Sequence, residues 1–494
     1  MDRPDPASTL TVAPSREDPL VGRLSAVVGG PAGSRVRPGR QGWWAAVRVL
    51  VVLAMLALSV GVVGKQHCRA EGWNTPDQFF HACYSDLPLQ FQSSGIAQDV
   101  VPYVESAGGQ YLAQPVLTGT LMWAVGAVTP DGPALERNRW YFDLSTLVIA
   151  GLLVALVLLT AAGAGRRRPW DAALVALSPL VVLSGLVSFD LLGVTLASAG
   201  LLAWGRSRPL LAGVLLGAAT TARVYPLVLL LVLGVLAVRT GRWRPWLTTA
   251  AATVATAAAV VAPWVALNST GVTAFYRTWK GGGAGFGSIW MLPVTVPSAP
   301  QPKWLAPLEW QPHPLSPRTL TTLAVFGIAA ALLAGLVLAL ESTRRPRVAQ
   351  LAFVMLAVVV LTSKSWPVQA SLWLLPLAAL ARPRWRDHLV WVGCEATYWF
   401  AVWLYLAGQT QSDRGLPGAW YSLFVLVRVA GLLWLVWCVL RDIRHPEQDV
   451  VRADGEDDPL GGPFVGAPDA AALTRAAASS GPTDQPTSSE PVAG

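Results

Sequence analysis

A few ionisable residues of this 494-residue chain stand in short polar breaks between apolar blocks. Asp86 follows Cys83-Tyr84-Ser85, and Asp190 closes Ser188-Phe189-Asp190. Arg223 lies in Thr221-Ala222-Arg223-Val224-Tyr225-Pro226, and Lys364 in Thr362-Ser363-Lys364-Ser365-Trp366. An aspartate whose pKa is raised by partial burial can take a proton from a hydroxyl. Arginine and lysine can hold a phosphate through charge-assisted hydrogen bonds and stabilise it as it leaves. Each residue also has a plainer reading. Asp86 and Asp190 read as helix caps, and Asp190 more so, because Leu191 opens an apolar run. Arg223 reads as a snorkelling side chain, and Glu395, inside an apolar block, as half of a local pair.

The elements that must position these residues are helices in a membrane. The chain is 53% hydrophobic and 13% charged, with a mean hydropathy of +0.46. Soluble domains carry nearer a quarter charged residues. The apolar residues come in blocks of helix length, which predicts an all-α polytopic membrane protein. The net charge of +8 does not point to nucleic acid. The basic residues sit in short clusters between blocks, as topology determinants do.

Residues 1–42 read as a disordered cytoplasmic tail, 43–440 as the membrane domain, and 441–494 as a second disordered cytoplasmic tail. The first span runs from Trp43 to Val63, and a long loop, His67 to Gly119, follows it. Pro115 to Thr129 is short for a crossing and is read as re-entrant or shallow. With that segment returning, about 12 spans place every basic cluster, from Arg166-Arg167-Arg168 to Arg441 and Arg444, on the cytoplasmic side. Asp86, Asp190, Arg223 and Lys364 then share the extracytoplasmic face. The second outer loop is expected at 267–318. An outer loop lets Cys68 and Cys83 form a disulfide; the alternative is two free, small apolar side chains.

An extracytoplasmic site has no nucleotide-sugar supply. Sugar transfer there needs a membrane-delivered donor, normally a polyprenyl phosphosugar, and an apolar groove for its tail. The chain resembles the actinobacterial polyprenyl-phosphate-dependent mannosyltransferases, glycosyltransferase family 87, with a GT-C fold. The resemblance rests on several stretches. They are Cys83-Tyr84-Ser85-Asp86, Pro115-Val116-Leu117-Thr118-Gly119, Phe189-Asp190-Leu191-Leu192, Arg223-Val224-Tyr225-Pro226-Leu227, Phe286-Gly287-Ser288-Ile289-Trp290, and Lys364 through Leu372-Trp373-Leu374-Leu375-Pro376-Leu377. It implies a GT-C-like helical bundle with a large first extracytoplasmic loop carrying the catalytic aspartate, here Asp86. It also implies lipid-phosphate contacts from Arg223 and Lys364.

The implied reaction transfers a sugar, mannose first among candidates, to a cell-envelope glycolipid or polysaccharide, with inversion. Asp190 is the alternative base, and Tyr84, Arg223, Tyr225, Lys364 and Gln369 are the expected substrate contacts. No cofactor is required by this reading, no metal ligands are assigned, and a need for a divalent metal stays open. The partners are membrane lipids, the lipid-linked donor and the envelope acceptor. The sequence departs from the family pattern at Gln114, where a glutamate is common, and at Val368, which separates Pro367 from Gln369. A non-catalytic relative that scaffolds envelope synthesis is one rival. A lipid or sugar transporter is another, although no inverted repeat is visible.

Overall fold

A computed structural model describes residues 18–29, 45–296, 314–411, 413–453, 455 and 457–471. Among them the apolar blocks form helices, and the one β pairing is a bridge between Ala107 and Gln110. After α1 (Pro19–Gly29) and α2 (Ala46–Gly64) comes a long loop. It holds α3 (Gln66–Glu71), α4 (Asp77–Phe80) and α5 (Asp86–Ser93). Next are α6 (Val116–Ala127), α7 (Ala134–Gly163) and the short pair α8 (Ala173–Ala176) and α9 (Pro179–Ser184). α10 (Asp190–Gly205), α11 (Pro209–Ala222) and α12 (Pro226–Thr240) follow. α13 (Trp243–Val272), α14 (Ala274–Gly281) and α15 (Leu292–Thr295) precede α16 (Pro317–Glu341). α17 (Val348–Thr362), α18 (Ser371–Ala381), α19 (Trp385–Gly408) and α20 (Gly418–Arg444) complete the bundle, and α21 (Val450–Ala453) lies beyond it.

Six of these helical segments are long and apolar enough to cross a membrane, and the chain is a multi-pass membrane protein. The six shorter apolar helices include α10, α11, α12, α17 and α18. Of these, α10, α12, α17 and α18 are mostly buried, in keeping with helices too short to meet lipid over a full bilayer. Prolines open α9, α11, α12 and α16, where the missing N–H costs no helical bond. Gly213 and Gly217, four apart on α11, let α13 approach closely. A Cβ on Gly217 would come within 2.6 Å of Thr253 O.

Both ends of the single helix α6 lie at the end of the bundle that carries the long loop. Near its start, Thr118 Oγ1 donates to Ala222 O at 2.7 Å. Near its finish, Gly126 lies against Ile96 and Phe91 of the long loop. The loop also clasps the beginning of α7: Arg69 pairs with Asp143 at 2.6 Å, and Gln92 bonds Asn138 at 2.7 Å. Cys68 and Cys83 are joined as a disulfide. Closing a loop of that size is worth about 3 kcal/mol in the chain-entropy picture.

The opposite end differs from expectation. Residues 441–444 belong to α20, and residues 445–453 and 457–471 dock on the bundle. Arg347, buried at the start of α17, pairs with Asp449 at 2.7 Å and donates to Leu380 O and Ala381 O. Asp458 accepts from Val348 N at 2.8 Å, and Asp469 pairs with Arg239 at 2.7 Å. Phe464 packs on Trp204, with ring centroids 5.0 Å apart. Buried arginines at helix ends need anions, and the tail supplies them. The first tail is corrected in part as well. Residues 19–29 are helical, and Asp18 accepts from Trp385 N at 2.8 Å. Residues 1–17, 30–44 and 472–494, and 297–313 of the second loop, lie outside the described residues.

The geometry puts the long loop and the α10–α11 turn at opposite ends of the bundle. Single cysteines at exposed Ser106 and Arg206, without Cys394 and Cys438, test this in intact cells. An impermeant thiol reagent should label one position and spare the other. Equal labelling of both would contradict the arrangement.

Candidate active site

Asp86 opens α5, and its backbone is fixed before its side chain is considered. Ser85 Oγ accepts from Leu87 N at 3.3 Å, capping the helix, and donates to Leu186 O at 2.8 Å. Asp86 N donates to Val187 O at 2.8 Å. These bonds seat the loop on the turn that precedes α10. Tyr84 Oη donates to Asp86 Oδ1 at 2.6 Å, and Gln369 Nε2 lies 3.4 Å from Oδ2. Tyr84 stacks on Trp403, centroids 4.7 Å apart. Burial lifts the Asp86 carboxyl to about 6. The Tyr84 hydrogen bond opposes the lift; Asp190 adds to it, and Arg223 and Lys65 subtract.

Asp190, at the first turn of α10, is fully committed. Arg223 grips it with two prongs, Nε to Oδ1 and Nη2 to Oδ2, each at 2.8 Å. Trp373 Nε1 donates to Oδ1 at 2.6 Å, and the Ser188 hydroxyl donates to Oδ2. Gly193, one turn along α10, leaves room for the arginine stem: a Cβ there would be 3.0 Å from Arg223 Cγ. Tyr225 stacks on Trp373 at 5.1 Å. Arg223 Nη1 faces Gln114 Oε1 and Thr118 Oγ1, each at 3.2 Å, and Ala222 O at 3.0 Å.

Asp86, Gln90, Gln114, Thr118, Ser188 and Arg223 line one small cavity, closed on its apolar side by Leu87, Met122 and Phe189. It takes about one water molecule, so a sugar against Asp86 requires these side chains to part. The arrangement combines a carboxyl that titrates near neutrality with a guanidinium held by a second carboxylate. That is suited to accepting a proton beside a departing anion.

The structure therefore gathers Tyr84, Asp86, Asp190, Arg223, Tyr225 and Gln369. It does not bring Lys364 to them. Lys364 Nζ donates to Trp279 O at 2.7 Å, Lys280 O at 3.1 Å and Thr321 Oγ1 at 3.0 Å, which uses all three of its protons. It ties α14 to α16. Asp190 is the fixed partner of Arg223, and with every lone-pair direction engaged it has little capacity left to serve as a base.

Sequence reasoning missed Lys65, which caps α2, is buried, and donates to Tyr84 O at 2.7 Å. Burial lowers its pKa to about 7, with Asp86 pulling the other way. A lysine directly after a span reads as an interfacial anchor, so its type carried no sign of this. Gln90 and Trp373 were missed too. Gln114, noted only as a departure, bridges Arg223 and Gln90 Oε1, the latter at 2.9 Å. Glu395 has the local partner expected of it: Arg428, at 2.9 Å. Arg428 also binds the carbonyls of Trp366 and Pro367, which shapes the approach to Gln369.

The sequence profile of glycosyltransferase family 87 matches residues 134–364, which marks a domain of that family in this stretch. The matched segment contains Asp190 and Arg223 and ends at Lys364; Asp86 and its loop precede it. No curated protein sequence matches the chain.

Replacing Asp190 by Asn should leave a buried guanidinium without its counter-charge. A loss of about 3–5 kcal/mol is the usual scale for breaking such a pair. The purified protein should melt well below wild type, whereas Asp86→Asn should melt close to it. Equal melting of Asp190→Asn and wild type would show that the pair does not hold the site.

Proposed function

We propose that this chain transfers a sugar from a polyprenyl phosphosugar to a cell-envelope glycolipid or polysaccharide on the extracytoplasmic side, with inversion. The family match supports a glycosyltransferase reaction and, with the membrane bundle, a lipid-linked donor. The observation that carries the finer reading is Asp86. Its carboxyl, near 6, faces a cavity shared with Arg223, on a loop closed by a disulfide.

The disulfide favours an oxidising compartment for this end. The opposite end carries Arg166–Arg168, Arg206, Arg208, Arg242, Arg244 and Arg384, as cytoplasmic ends do. Both observations support an outward-facing site, with the first tail on the cytoplasmic side. Mannose is the sugar that the resemblance favours.

In the proposed step the acceptor hydroxyl approaches Asp86. Its proton passes to the carboxylate as its oxygen bonds to the anomeric carbon. The bond from that carbon to the phosphate oxygen breaks on the opposite side, and polyprenyl phosphate leaves with the electron pair. One displacement inverts the anomeric centre. Tyr84, its phenol pushed up by burial, stays a donor to Asp86 and orients it. Arg223 Nη1, now on neutral oxygens of Gln114 and Thr118, turns to the phosphate and gains a charge-assisted bond. Lys364 has no phosphate role in this step. Gln369 and Tyr225 border the sugar side.

Membranes containing the protein, given labelled lipid-linked sugars and envelope extract, should transfer label to the acceptor fraction. Asp86→Asn should keep its fold and lose transfer by about 10²–10⁴-fold, the scale of general-base assistance. Near-normal transfer by Asp86→Asn would remove the base from this account.

A further inference from the structure

A second cluster lies on the flank of the same loop, on the far side of the disulfide. His67 is in α3, one residue before Cys68. Asp77 opens α4, and His81 follows that helix, two residues before Cys83. His67 Nε2 is 2.7 Å from Asp77 Oδ2, and His81 Nδ1 is 3.1 Å from Asp77 Oδ1. The two imidazoles are stacked, centroids 3.5 Å apart and planes 20° apart. One ligand atom from each residue lies within 4.8 Å of the others.

We infer that His67, Asp77 and His81 form a binding site for one divalent transition-metal ion of the zinc class. Two imidazole nitrogens and a carboxylate are a donor set for zinc, nickel or copper rather than for magnesium or calcium, which take all-oxygen shells. The spacing fits with a small adjustment. Bonds of about 2.0–2.1 Å in a tetrahedral shell put neighbouring ligand atoms about 3.3 Å apart. The present separations of 2.7 and 3.1 Å are shorter than this, so the side chains move apart by about half an ångström or less as the ion enters. The side chains are 38–47% exposed, so they have room to open and the ion has a path in. A fourth position is left for water.

The cluster is also held for the purpose. The disulfide fixes the ends of the segment that carries Asp77 and His81, and His67 adjoins one of its cysteines. Asp77 and His81 stand one helical turn apart, and His81 Nδ1 is 3.2 Å from Asp77 O. None of the three lines the Asp86 cavity. The ion would therefore act as a clamp between α3 and α4. From there Phe79 stacks on Tyr84 at 5.7 Å, and Tyr84 holds Asp86. The inference concerns binding and does not rest on sugar transfer.

The test uses the full chain, purified without a polyhistidine tag, stripped with a chelator and titrated with Zn²⁺ against a chromophoric competitor. One equivalent should bind tightly, and His81→Ala should weaken it at least about tenfold. Mg²⁺ and Ca²⁺ should not compete. A second measurement needs no variant: Zn²⁺ should protect His67 and His81 from diethyl pyrocarbonate, read by peptide mapping. Co²⁺ in place of Zn²⁺ should give d–d bands without a thiolate charge-transfer band, since both nearby cysteines are in the disulfide. Less than one equivalent of Zn²⁺, unchanged affinity in His81→Ala, or unprotected histidines would each overturn the assignment.

Discussion

The site depends on one buried ion pair, Asp190 with Arg223. Two parallel hydrogen bonds of 2.8 Å join the start of α10 to the end of α11. Trp373 adds α18, and Gln114 and Thr118 on the other face of the guanidinium add the end of the long loop and α6. Four stretches of chain, around Gln114 and Thr118, Asp190, Arg223 and Trp373, thus meet on one charge pair. Separating the pair would strand a charge in a low-dielectric interior, so the geometry is strongly specified. It also puts a fixed cation beside the cavity that Asp86 lines.

The two aspartates of this end differ because their surroundings differ. Asp190 meets an arginine, an indole N–H and a hydroxyl. Asp86 meets one strong donor, Tyr84, and a distant amide, and is buried beside a small cavity that Leu87, Met122 and Phe189 close on its apolar side. One is locked as a structural anion. The other can change protonation within a range useful for catalysis. Environments that separate two carboxyl groups in this way assign their chemical roles. Lys65, lowered by burial toward neutrality, adjoins the second group and not the first. The protein therefore keeps its permanent charge pair deep and its titrating groups at the loop.

Much of this was legible in the sequence. Apolar blocks ended by arginines gave the helices, and alternation of the ends put Asp86, Asp190 and Arg223 together. That α6 has both ends at the long-loop side agrees with a segment too short to cross. Cys68 and Cys83 were recognisable because both lie in one loop. Lys364 donates to two carbonyls and a hydroxyl from 43 to 85 residues away, contacts that leave no local pattern in the sequence. Residues 445–453 and 457–471 were misread because they dock through Asp449, Asp458 and Asp469 and only three scattered buried apolar side chains, Val451, Leu460 and Phe464. A polar, proline- and glycine-rich tail looks unable to pay for its own ordering, unless the buried arginines awaiting it are known.

The central claim is that transfer requires the ionised Asp86 carboxylate, poised near neutrality by burial. The pH dependence of kcat/KM for the purified protein tests this most directly, because it reports ionisations of the free enzyme. The base is active when deprotonated, so the rate should fall as pH drops through about 6, one decade per unit, and Asp86→Asn should lack that limb. A wild-type rate that stays level from neutrality down into the ordinary carboxylate range, about 4, would contradict the account.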